Sequence, residues 1–258
     1  MLVMSVVFGI LMYAAPMAMQ SYGAVGFNYV ELALITFLGS AVVLMPKADF
    51  GNEDKTGEVA SDRKINTNAT GVPSILLAVF ALFASQGLAW TFAASAAQTL
   101  EISPDVVGIA FTVCALAQIP AAGLATWMGM RLGYRIPISI SLTLLCFISI
   151  GMYCIDSQNI FLLSTGLFSA AAAFAFPYMQ SILAELDTTG SSAAIGGAMI
   201  SIGAAAGPAI GGFIFDYVKF QGVGWVCALL VVVSILSSIA AAAKHNRLHS
   251  TVFKTEPS

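Results

Sequence analysis

The residues best suited to hold a ligand in this chain are few and sit in apolar company. Gln86 has Trp90 one turn on, Gln118 lies two residues before Pro120, and Phe174, Tyr178 and Gln180 gather around Pro177. Amides, a phenol and aromatic rings can bind an organic solute by hydrogen bonding and stacking, but they supply no convergent nucleophile, acid or metal ligand set. Polar residues near the middle of an apolar helix are expensive in lipid, so they usually face the protein interior or an aqueous cavity. Two readings stay open: a weakly polar, aromatic half-cavity for an apolar or amphipathic solute, or glutamines that bond across helices among aromatics that simply pack.

Acid–base chemistry has still fewer footholds. Glu31 is the one acid well inside an apolar stretch. It lies a turn or more from the stretch's end, where it is either a proton-linked carboxylate or a side chain that reaches the interface. Glu185, Asp187, Asp216 and Lys219 fall at the ends of such stretches and read as solvated loop charges. The interiors hold no His, Lys or Arg, which argues against an enzyme. Cys114, Cys146, Cys154 and Cys227 have no metal-ligand or paired spacing and read as small buried side chains. No cofactor and no metal is expected.

The elements that must position these residues follow from composition. Of 258 residues 59% are apolar and 9% charged, against about 45–50% and about 25% in ordinary soluble domains. A water-facing surface cannot be built from that mixture, so the bilayer is the expected partner. Eight apolar runs, at approximately 2–21, 25–46, 73–98, 104–129, 136–155, 159–184, 193–215 and 223–243, are each of the length that crosses the roughly 30 Å hydrocarbon core as a helix. Ala14, Ala15 and Ala18 give the first run the small residues of an export signal, but no Lys or Arg precedes it, so it reads as a span.

Orientation follows from the basic residues. With eight spans and both termini inside, Lys47, Lys55, Arg63, Lys64, Arg131, Arg135, Lys244, Arg247 and Lys254 are cytoplasmic and Lys219 alone is outside, as short translocated loops lose Lys and Arg. The net charge of −3 is confined to the intervening stretches and gives no reason to expect a nucleic-acid partner. Residues 47–72 mix acids and bases with little apolar content and read as a cytoplasmic linker. Asn68-Ala69-Thr70, a glycosylation acceptor by pattern, lies in this inside-facing segment and reads as chance. Residues 244–258, with His245 and His249, form a cytoplasmic tail.

Three patterns remain. Thr126-Trp-Met-Gly-Met-Arg-Leu-Gly-Tyr-Arg135 places Arg131, Gly133 and Arg135 around a tight turn between two spans. Gly203-Ala-Ala-Ala-Gly207-Pro208-Ala-Ile-Gly211-Gly212 sets three glycines four apart on one helix face, extended by Gly196, so that a neighbouring backbone can approach, while Pro208 removes a helix hydrogen bond and can bend the chain. Ala15-Pro16 and the segment opening at Gly26 loosely echo Gly207-Pro208 and the segment opening at Gly224.

In these residues the chain resembles the major facilitator superfamily. The first pattern follows the basic half of the superfamily's cytoplasmic loop signature, Gly-x-x-x-Asp-Arg-x-Gly-x-Arg, with Thr126 and Met130 in place of its Gly and Asp. The second fits Gly-x-x-x-Gly-Pro-x-x-Gly-Gly at every defined position. That motif is best known from the fifth helix of antiporters. Here it would lie in the eleventh, the fifth's pseudo-symmetric counterpart, so it speaks to fold more than to coupling direction.

The resemblance implies an all-α membrane bundle of about eight transmembrane helices. Residues 1–46 would match helices five and six of a twelve-helix transporter, residues 73–243 the six-helix C-terminal bundle, and the third and sixth spans cavity-lining helices seven and ten. Counterparts of helices one to four would be absent. The expectation is therefore a fragment, with Met1 not the natural start, or a shortened protein that completes its cavity by self-association. The function implied is alternating-access transport of a small organic solute across the plasma (inner) membrane, driven by protons. The competing expectation is an accessory or degenerate membrane protein that transports nothing.

Overall fold

The computed structural model describes residues 71–129, 131–186 and 191–252, the side chains of the last stretch from 195 to 243. Glu31, the two spans expected in 1–46, the linker up to residue 70 and the side chains of the tail lie outside the described residues. Among the described residues every regular element is a helix: α1 (Val72–Thr99), α2 (Pro104–Met128), α3 (Arg135–Cys154), α4 (Gln158–Leu186) and α5 (Ser191–Val252). All five are long and apolar enough to cross a membrane.

Local chemistry sets the boundaries. Proline stands in the first turn of α1 and of α2, where no helical hydrogen bond is lost. The end of α1 is tied by Ile102 N–H to the Ala97 carbonyl and Glu101 N–H to the Gln98 carbonyl, both at 3.1 Å, a Schellman closure. Its left-handed position is held by Glu101 at φ 56°, where glycine is usual. α2 stops at Gly129, φ 51°, whose N–H reaches the Ala125 carbonyl.

α5 is 62 residues long, about 93 Å at 1.5 Å per residue and three times what a bilayer core requires. The backbone resolves this at Lys219, where φ 55° and ψ −155° interrupt the helix. The two arms on either side, 191–218 and 220–252, correspond to the last two spans read from hydropathy. The departure from helical geometry falls at Lys219 and not at Pro208, through which the chain stays helical.

Contacts fix the directions. Phe80, Ala84 and Leu88 of α1 meet Gly203, Gly207 and Gly211 in the same order, so α1 and the first arm run parallel. Ser85 donates to the Cys227 carbonyl at 3.2 Å and Ser234 donates to the Ala78 carbonyl at 2.8 Å, so the second arm runs antiparallel to α1. α1 is thus clasped by both arms of α5. Val113 opposite Gly166 and Ala125 opposite Tyr178 make α2 and α4 parallel, whereas Phe83 against Phe176 and Trp90 against Phe168 make α1 and α4 antiparallel. Each helix reverses its predecessor, as successive membrane crossings must. The Arg131–Arg135 loop therefore lies at one end of the bundle, and Glu101, Asp156 and Lys219 at the other.

Large apolar side chains point outward, among them Phe147 at 67% and Leu163 at 65% exposure. In water this would be a liability; against lipid it is the expected surface. The core between helices combines large apolar side chains such as Phe161, Phe168, Leu142 and Met179 with small residues and serines. A Cβ on Gly203 would stand 2.6 Å from the Phe80 carbonyl oxygen, and one on Gly207 would stand 2.5 Å from Leu88 N. Those neighbours are backbone atoms that cannot swing aside. Gly196 belongs to the same stripe but meets the Leu183 side chain of α4, while a Cβ on Gly212 would meet no atom within 4 Å.

Gly207→Ala should therefore destabilise the protein by about 1–3 kcal/mol, the usual cost of overpacking, and Gly212→Ala by no more than about 0.5 kcal/mol. The thermal-unfolding midpoints of the two variants, purified in one detergent, check this.

Candidate functional site

α1 carries the geometry of the site. Its Ala84 and Leu88 side lies on the glycine seam of α5, and its Phe83 and Trp90 side faces α4 and α2. Further along the Ala84 face, toward the end of α1, Thr91, Ser95 and Gln98 are exposed, with Ala94 beside them. The first arm of α5 bears exposed small residues of its own, Ser201, Ala204, Ala205 and Ala209, alongside the earlier turns of α1. Exposed small and hydroxyl side chains at this depth contrast with the Leu, Ile and Phe that cover the outward faces of α3 and α4.

Aromatic rings pack between α1, α4 and α2. Phe83 meets Phe176 edge to face with centroids 5.4 Å apart, and Trp90 is edge-on to Phe111 at 5.2 Å and to Phe168 at 6.3 Å. Gln86 lies between Phe83 and Trp90 along this side of α1. It is half-buried, and its Nε2 is enclosed without a hydrogen-bond partner. An amide N–H so placed forfeits about 1–3 kcal/mol until an acceptor is supplied.

The six residues singled out from sequence are not brought together. Gln86 and Trp90 share the α4-facing side of α1. Gln180 lies toward the first arm of α5, its Oε1 3.9 Å from where a Cβ on Gly196 would be. Phe174 and Tyr178, with rings 5.7 Å apart, turn to α2, where the Tyr178 hydroxyl donates to the Ala125 carbonyl at 3.1 Å. Gln118 is half-buried on the same side of α2 as Phe111 and Ala125. Sequence reading missed Phe83, Phe176 and the strip Thr91, Ser95 and Gln98. Seven-residue spacing from Ala84 to Thr91 and Gln98 was available as a signal, but it identifies a face without saying which neighbour leaves it uncovered.

The loop after α2 is more tightly held than a solvated turn. Gly133 takes φ 65°, and the Arg131 guanidinium lies 5.5 Å over the Trp127 ring. Tyr134 is buried, and its hydroxyl donates to the Glu185 carboxylate on α4. The expectation that Glu185 is merely solvated is corrected by this bond: it fastens the loop to the end of α4. Burial, and then Glu185, push the Tyr134 phenol well above its ordinary pKa, so it remains a donor throughout the physiological range.

Removing the Tyr178 hydroxyl takes away one hydrogen bond to a carbonyl that also accepts from Gly129. Tyr178→Phe should lower stability by about 1 kcal/mol, measured as a fall in the melting midpoint.

The model of one protein family, the Major Facilitator Superfamily, matches residues 75–255. Comparison with curated proteins and with solved structures gives no match.

Proposed function

Because the chain belongs to the major facilitator superfamily, whose members are transporters, we propose that it acts in proton-driven movement of a small, largely apolar organic solute by alternating access. The observation that carries this reading is the orphaned Gln86 Nε2 among aromatic rings on the α4-facing side of α1. A solute with a carbonyl, ether or other neutral acceptor on an apolar frame would complete that amide and stack on Phe83, Trp90 and Phe176. Gln180, toward the first arm of α5, and Gln118, on α2, would line other parts of the solute's path. Phe174 and Tyr178 would support α2 and not touch solute.

The seam of Gly203, Gly207 and Gly211 supports the moving part of the mechanism. Helices in contact through backbone have few interlocked side chains to disengage when they slide, so α1 and α5 can shift at low cost. Among the described residues the acids, Glu101, Asp105, Asp156, Glu185 and Asp216, all stand near helix ends. A carboxylate that couples a proton within the membrane would then be Glu31. The basic-residue count supports both termini and the Arg131–Arg135 loop on the cytoplasmic face of the plasma (inner) membrane.

Reconstitution into liposomes with an imposed pH gradient tests the proposal. Uptake of apolar solutes bearing a neutral acceptor should collapse when a protonophore is added. Gln86→Leu should raise the apparent KM about tenfold, the equivalent of one buried hydrogen bond, and Glu31→Gln should remove the dependence on the gradient. Folded protein that passes no solute under any gradient would favour the accessory role instead.

A further inference from the structure

A concavity lies at the end of the bundle opposite the Arg131–Arg135 loop. It encloses about 620 Å³ between the end of α1, the joint of α3 with α4 and the break in α5, within the range of small-molecule sites. Its walls are unlike in character. Leu100, Met152, Val218 and Phe220 make an apolar side, and Asp156, Lys219 and Gln221 bring charge and an amide.

The two charges come from different elements. Among the described residues neither Asp156 nor Lys219 has an ion-pair partner; the Lys219 ammonium has only the Phe215 ring, 5.7 Å from its centroid. Lys219 also occupies a backbone conformation that favours glycine, φ 55° and ψ −155°. Residues held in such conformations concentrate at ligand clamps, where the side chain is needed at that point. Here the strained residue is the one that presents a cation to the pocket.

We propose that this pocket binds a phosphoethanolamine group, its phosphate on Lys219 and its ammonium on Asp156, with Gln221 beside them. An uncompensated cation and an uncompensated anion in one pocket call for a ligand with both signs, and a phosphate accepts several charge-assisted hydrogen bonds at once. The apolar wall suits the glycerol and first methylenes of a phospholipid, and the ends of membrane spans are where headgroups lie. The same group could arrive free in solution. The test of this site does not require transport.

The full chain is placed in phosphatidylcholine nanodiscs doped in turn with phosphatidylethanolamine or phosphatidylglycerol, and the lipids retained on extraction are quantified by native mass spectrometry. Phosphatidylethanolamine should be retained about three- to tenfold over the other two, as one or two partly exposed charge-assisted bonds allow. Asp156→Asn and Lys219→Ala should each erase the preference. Lys219→Gly should erase it too while relieving the backbone, so that it melts no lower than the unmodified protein and loss of fold cannot explain its result. Displacement of retained lipid by soluble phosphoethanolamine would assign the site to the free compound; retention in its presence would assign it to the lipid. Equal retention of all three lipids together with no binding of phosphoethanolamine, or an unchanged preference in the variants, would overturn the proposal.

Discussion

The structure depends on the approach of α1 to the first arm of α5 at Gly203, Gly207 and Gly211, where a single added carbon would strike a carbonyl oxygen, an amide nitrogen or a packed side chain. In lipid, apolar burial gives helices little reason to prefer each other to acyl chains, so association rests on close packing and on polar groups that bond across the interface. The glycine stripe supplies the first, while Ser85 and Ser234 supply the second by bonding to carbonyls on facing helices. Together they clasp α1 between the two arms of α5. The rest of the bundle is arranged around that clasp.

Beyond Leu88 the seam face of α1 continues into Thr91, Ser95 and Gln98, which with Ala94 are exposed and too small or too polar for an ordinary lipid surface. The Gln86 amide, enclosed and unpartnered, lies on the aromatic side of the same helix. At the far end, the reversal of α5 at Lys219 shapes the concavity there.

Much of the bundle was legible in the sequence because lipid enforces simple rules. Apolar runs of span length and charge-bearing interruptions gave the helices of residues 71–252 with boundaries close to those observed, and four-residue glycine spacing identified the face of α5 that α1 approaches. Hydropathy separated the two arms of α5 although the backbone runs through them with a single non-helical residue. The site was less legible. Tyr178 and Gln180 are two residues apart and so differ by about 200° around the helix, enough to send one to α2 and the other toward α5. Sequence gives that angle but not the position of the neighbours. Glu185 read as a solvated charge because its partner, Tyr134, is remote in the chain and buried by the fold of a loop whose turn at Gly133 sets its direction.

The central claim, that the exposed strip of α1 faces water and solute and not lipid, can be measured directly. With Cys114, Cys146, Cys154 and Cys227 replaced, single cysteines are introduced at Ser95 and, for comparison, at Leu163 on the outward face of α4, and both are treated with a membrane-impermeant thiol reagent. The account predicts that the cysteine at position 95 reacts, that a transported solute protects it, and that the cysteine at 163 stays unmodified. Equal inertness at both positions in folded protein would place the strip against lipid and contradict it.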